Sequence, residues 1–229
     1  MVKNHRIVVL INKLNGPEVT RDNEVSLLWR FLEKNKNLQH NQEEKTFTWN
    51  MEAGALSSYT MTFSSYDTKL VNDFFEIAKG LAGQAVTVGT TIWQVKEAME
   101  IQDIDYIGEA IRISTVNGMV AMHKAYNAEG KKYNKTYDIL TDKEAWISSV
   151  INRLIRRTNN FFGTAYEKKD VSITRLTLDG YDTVKYKNAS IPVQNVQFKL
   201  SAPKEIIESA IYGGIGSHTG SGFGMTAAI

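Results

Sequence analysis

The order of hydrophobic segments runs β-α-β-β-α-β twice along 229 residues, and a glycine-rich stretch follows the second pass. These observations predict an α+β fold of two tandem ferredoxin-like (RRM-like, βαββαβ) domains with a C-terminal glycine-rich loop. The length fits two units of about 100 residues each. The expected division is residues 1–100 and 101–229, with a boundary near residues 99–106. No Pro- or Ser-rich linker marks that boundary, so the halves are expected to pack tightly.

Each element of the first pass has a local reason. Residues 6–13 (RIVVLINK) are β-branched and almost continuously apolar, as in a buried strand. After the polar turn GPEVTRDN, Val25, Leu28, Trp29 and Leu32 recur at helical spacing. Phe47 and Trp49 alternate with threonines, as do Tyr59, Met61 and Phe63, which predicts two half-buried strands. Asp67 is placed to cap a helix carrying Leu70, Phe74, Ile77, Ala78 and Leu81 on one face. Residues 85–95 (AVTVGTTIWQV) read as a further strand or hairpin.

The second pass opens with Ile111 and Ile113 alternating with Arg112 and Ser114. GMVAMHKA (118–125) is expected to pair with that strand across Val116-Asn117-Gly118. Thr141 and Glu144 have capping-box spacing ahead of a long helix with the stripe Ile147, Val150, Ile151 and Leu154. Residues 171–178 and 191–200 read as strands. Pro203 sits in the first turn of a last helix burying Ile206, Ile207, Ala210 and Ile211.

Composition removes several functions. A cysteine-free chain has no disulfides, thiolate zinc sites or cysteine nucleophiles. It fits a cytoplasmic protein, and no apolar run approaches the roughly 20 residues of a membrane span. His5, beside the first strand, reads as a solvated terminal residue. Glu43-Glu44 and Asp103/Asp105 are the nearest carboxylate pairs, and both read as solvated turns, so no metal site or cofactor is expected. No G-x-S-x-G elbow occurs.

Six of the sixteen glycines fall in GGIGSHTGSGFGM, residues 213–225. Glycine lets backbone N–H groups turn toward an anion and lets a phosphate chain approach. The Walker ending Gly-Lys-Ser/Thr is absent. A dinucleotide loop needs a following helix and a later acid, and only five residues follow Gly224. Two readings stay open: a support for a phosphate backbone, or a turn that packs helix and strand closely.

Basic residues cluster in the second half. Arg153, Arg156 and Arg157 fall on the polar side of the long helix. Lys131, Lys132 and Lys135 surround Tyr126 and Tyr133 at a hairpin tip, and Lys185 and Lys187 flank Tyr186. Lysine and arginine supply phosphate affinity, and interleaved tyrosines stack on unpaired bases. Each cluster taken singly is also what a solvated face looks like.

The segment GIGSHTGSGFG resembles the C-terminal glycine-rich signature of the repeat-associated (RAMP) superfamily of CRISPR systems. More narrowly, it is similar to the sixth CRISPR-associated protein family, endoribonucleases that cut precursor guide RNA within each repeat. The length, the strand GEAIRIST before a hairpin and the long helix ending in NNFFG agree. The resemblance implies CRISPR repeat RNA as partner, with further effector subunits or a homodimer as additional partners. It implies metal-independent cleavage by the RNA's own 2′-OH, leaving a 2′,3′-cyclic phosphate. The alternative is a subunit of the same superfamily that holds RNA in an effector complex without cutting.

Such chemistry needs a base, an acid and a cation to stabilise the phosphorane. Histidine suits proton transfer. In the family that the chain resembles, a catalytic histidine often precedes an aromatic strand like TFTW. That position is His40 here, with Lys45 close behind to stabilise charge; by its own residues, LQHNQEEKTFTW, His40 reads equally as a loop histidine in a polar turn. The family's frequent helix tyrosine has no counterpart in NEVSLLWRFLEKN. His123 reads as a strand residue facing solvent or the core. The resemblance implies RNA contacts at Gly214, Gly216, Ser217, His218, Gly220, Gly222 and Gly224, beside the basic residues Lys131, Lys132, Arg153, Arg156 and Arg157.

Overall fold

The computed structural model describes residues 5–32, 45–102, 108–186 and 189–229. His40, Glu43-Glu44, Asp103/Asp105 and Lys187 lie outside them.

The N-terminal half contains β1 (Arg6–Asn15), α1 (Arg21–Leu32), β2 (Phe47–Ala53), β3 (Ser58–Ser65), α2 (Thr68–Gly80), β4 (Ala85–Val88) and β5 (Thr91–Ile101). The sheet order is β2-β3-β1-β5-β4. The first four of these strands have the ferredoxin-like order, and β4 adds an edge through a hairpin with β5. Strand periodicity sends Ile7, Val9 and Ile11 of central β1 to one face, where all are buried. Leu27, Leu28 and Phe31 of α1 and Leu70 and Phe74 of α2 cover that face. Phe63 and Phe74 stack with centroids 4.1 Å apart. The Asp67 side chain accepts from the Leu70 amide at 3.2 Å and caps α2 as predicted. Trp29 departs from expectation. It lies at the margin of the α1 stripe and stays half-buried.

The C-terminal half contains β6 (Ala110–Thr115), β7 (Met122–Tyr126), β8 (Lys132–Thr136), α3 (Lys143–Phe162), β9 (Ser172–Tyr186), β10 (Ala189–Ser201), α4 (Lys204–Gly213) and β11 (Thr226–Ala228). Its sheet order β11-β6-β10-β9 repeats the ferredoxin-like arrangement, so the fold is two such domains in tandem. Two local expectations fail here. First, residues 118–125 do not pair with β6. After Gly118, which has φ +67° and sits against Val193 and Asn195, only isolated bridges form, Met119 to Gln194 and Val120 to Ser217 of the glycine loop. The chain then leaves the sheet, and β7 pairs with β8 as a separate hairpin. Second, α3 starts at Lys143 with Asp142 at the cap. Glu144 is therefore one position early for a capping box, and the Thr141 hydroxyl donates to Asp142 instead.

The two domains are closely joined. His5 is buried and stacks on Tyr212 of α4 at 4.4 Å, which overturns its reading as a solvated terminal residue. An Arg6 Nη2 donates to the Thr226 carbonyl at 3.2 Å. Tyr66, just after β3, joins the C-terminal core. Tyr186, at the far end of the β9–β10 ribbon, packs against the N-terminal core. Among the described residues no helix is long and apolar enough to cross a membrane.

Candidate functional site

The glycine loop runs from the end of α4 back between the domains, and most of its carbonyls point inward. Trp49 Nε1 of β2 donates to the Gly220 carbonyl at 3.2 Å. Arg21 Nη2 and Asn117 Nδ2 both donate to the Gly222 carbonyl at 2.6 Å. Asn117 also donates to the Trp49 carbonyl and accepts from the Met225 amide, so one side chain ties loop, β2 and β11 entry together. Arg21 itself lies over the Trp49 and Phe223 rings and pairs with Glu24 at 2.7 Å. Burial raises the Glu24 carboxyl above its usual range despite that arginine.

Close approach explains the glycines at two positions. Gly224 has φ +72°, and a Cβ there would stand 1.9 Å from the Ile215 carbonyl oxygen. Gly222 has φ +79°, and its Cβ would stand 2.9 Å from the Trp49 ring. These two and Gly214 are buried against backbone or core side chains and do not line a cleft. Gly216, Ser217, His218 and Gly220 do. The close-packing reading thus holds for Gly214, Gly222 and Gly224, while Gly216, Ser217, His218 and Gly220 face an open cleft.

That cleft lies between the domains and encloses about 540 Å³. Trp29 of α1 and Lys45, which precedes β2, form the N-terminal wall. The opposite wall comes from His123 and Lys124 of β7, Asn134 of β8, Arg153 and Arg156 of α3, and Tyr186 of β9. No carboxylate is among its described lining residues. The Lys45 stem crosses Gly220, whose added Cβ would stand 2.8 Å from Lys45 Cγ, and its ammonium lies 5.4 Å over the Trp29 ring. Burial holds the Lys45 ammonium below the usual lysine range.

Arg157 also lines the cleft, but it does not belong to a solvated face. It is 4% exposed, and its guanidinium donates to the Ser209 hydroxyl, the Ser209 carbonyl and the Gly213 and Gly214 carbonyls. It holds the root of the glycine loop. Lys131 and Lys132 are exposed at the β7–β8 tip and do not line the cleft. The sequence reading does not single out Trp29, Met122, His123, Lys124 or Asn134 as cleft residues. His123 stacks on Tyr137 at 4.2 Å and faces the cleft rather than solvent or core. Trp29 was assigned to the helix stripe, and its place at the stripe's margin was the available signal.

Two ferredoxin-like domains in tandem thus close on a cleft whose charged lining residues, among those described, are all basic. Residues 100–228 match the family model described as CRISPR associated protein Cas6, C-terminal. The chain belongs to the Cas6 family. Its fold is similar to that of a RAMP protein described as binding different RNA substrates, at TM-score 0.77 and 16% identity, over 98% of this chain and 99% of that one. A Cas6-related protein from Pyrococcus furiosus matches at 0.77 and 16%, over 99% and 98%. A Cas6 product complex matches at 0.70 and 13%, over 99% and 100%. No curated protein matches the sequence.

Proposed function

We propose that the chain binds CRISPR repeat RNA in the interdomain cleft and cuts it within the repeat by metal-independent acid–base chemistry. The observation that carries this reading is the cleft lining. Lys45, Lys124, Arg153 and Arg156 converge there from both domains, and no carboxylate is among the described lining residues. A polyanion gains from such a surface through phosphate neutralisation and counterion release. Trp29 and Tyr186 offer aromatic faces to unpaired bases.

In this reading His40 moves the proton of the attacking 2′-OH or of the leaving 5′-oxygen. Lys45 stabilises the negative charge of the phosphorane, and its desolvated site strengthens that interaction. The bond from 2′-oxygen to phosphorus forms, the bond to the 5′-oxygen breaks, and the products carry a 2′,3′-cyclic phosphate and a 5′-OH. Gly216, Ser217, His218 and Gly220 support the RNA backbone. Gly214, Gly222 and Gly224 act indirectly, by fixing the loop. Lys131 and Lys132 extend the basic surface along the hairpin. The domains divide as 1–100 and 101–229, and the protein works in the cytoplasm.

The test is incubation with repeat RNA in EDTA, alongside His40→Ala and Lys45→Ala. Cleavage in EDTA that His40→Ala abolishes without loss of binding is the expected result. Cleavage that requires magnesium would sink the mechanism. Tight binding with no cutting would favour the non-catalytic subunit instead.

A further inference from the structure

Behind one wall of the cleft is a second hollow of about 350 Å³, between the base of the β7–β8 hairpin and α3. His123, Arg153 and Arg156 line both spaces and so form the partition between them. Tyr137, Ala145 and Asn152 line only the hollow. His123 and Tyr137 both line it and are stacked, with ring planes 16° from parallel and centroids 4.2 Å apart, so each ring covers one face of the other. The Asn152 side chain is exposed and has no hydrogen-bond partner among the described residues. The neighbouring Ser149 hydroxyl, by contrast, is engaged, donating to the Met122 carbonyl.

We propose that this hollow takes one unpaired nucleobase of the RNA held in the cleft. The inference rests on the RNA-binding reading above and adds a place where sequence is read. Three features converge on a nucleobase. The two arginines serve both spaces, so a phosphate held at the partition leaves its own or the adjacent base free to enter the hollow. The His123–Tyr137 stack lines the hollow with aromatic carbon, and a base that continues the stack on an outer ring face is tolerated whatever its identity. The Asn152 amide presents a donor and an acceptor side by side, the pattern that matches a base edge and discriminates among bases. The hollow has the size of ordinary small-ligand sites, ample for a single base. No carboxylate among its described lining residues opposes the attached phosphate.

The test measures affinity for repeat RNA in which each nucleotide in turn is made abasic. Asn152→Ala removes the reading group, and Ala145→Phe fills the space. Thermal melting checks that each variant is folded. One abasic position should weaken binding to the wild-type chain about tenfold. Each folded variant should lose a similar factor on intact RNA and lose nothing further on that abasic RNA. If the Phe variant does not fold, the Asn152→Ala cycle decides alone. Variants that bind intact RNA as the wild type does, or abasic losses that add fully to the variant losses, would overturn the inference. A wild-type chain that binds no repeat RNA would overturn both this and the function it rests on.

Discussion

Replacing Arg157 by alanine would strip the glycine loop of its anchor. Four hydrogen bonds from a buried cation would be lost, to Ser209 Oγ and to the carbonyls of Ser209, Gly213 and Gly214, at 2.5 to 3.0 Å. Bonds to a charged group contribute about 1.5–3 kcal/mol each, but the sum is not additive, because removing the guanidinium also removes its own desolvation cost. What remains is three buried carbonyls and a hydroxyl without their donor, which sets a net loss of about 3–5 kcal/mol. For a chain of this size that lowers the melting temperature by roughly 10 °C. Lysine would not rescue it. One ammonium cannot reach groups that the guanidinium fork meets from separate nitrogens. The assay is urea unfolding of wild type, Arg157→Ala and Arg157→Lys. RNA affinity is measured on the folded fraction, where it should fall because Gly216 and Ser217 follow directly from the anchored carbonyls. A loss below about 1 kcal/mol, or full rescue by lysine, would refute the anchoring role.

Other expectations follow from the same geometry. Gly224→Ala should destabilise by more than about 3 kcal/mol or leave the protein insoluble, since the new methyl meets the Ile215 carbonyl at φ +72°; chemical denaturation measures it. Asp67→Ala should cost about 1 kcal/mol in the same assay, the worth of one helix cap. Arg153→Ala combined with Arg156→Ala should weaken RNA binding and flatten the slope of log affinity against log salt by about 2, read by titration at several salt concentrations. Burial lowers the Lys45 pKa in the free protein, and a bound phosphate would raise it again. Between those two values the complex holds more protons than the free chain. Affinity should therefore fall as pH rises through that window, and Lys45→Gln should remove that part of the dependence.

Most of the strand and helix framework was legible because burial imposes periodicity. The alternation in SYTMTFS and the helical spacing after Asp67 each mark one buried face; TFTW is instead buried on both faces, because Thr48 lies under the glycine loop and donates to the Phe223 carbonyl. The β4–β5 hairpin and the place of the glycine loop were also visible. Misreadings came where a polar residue serves a buried role. Arg157 falls three residues after Leu154 and seven after Val150, on the apolar stripe itself, yet its charge suggested solvent. His5 was judged by chain position, and position says nothing of Tyr212, which arrives from the other domain. The path after Gly118 depends on Val193 and Asn195 pressing on that glycine, a long-range contact with no local trace. The cleft itself is a product of docking two domains, so Trp29 and His123 acquire their setting only in three dimensions.

In the proposed mechanism, RNA held in the cleft is cut by its own 2′-OH. Repeat RNA carrying a single 2′-deoxy nucleotide immediately before the cleavage point tests this most directly, with EDTA present throughout. The unmodified repeat should be cut to a 2′,3′-cyclic phosphate and a 5′-OH, while the deoxy repeat should bind equally well and stay intact. Cleavage of the deoxy repeat, or cleavage only when magnesium is restored, would contradict the mechanism.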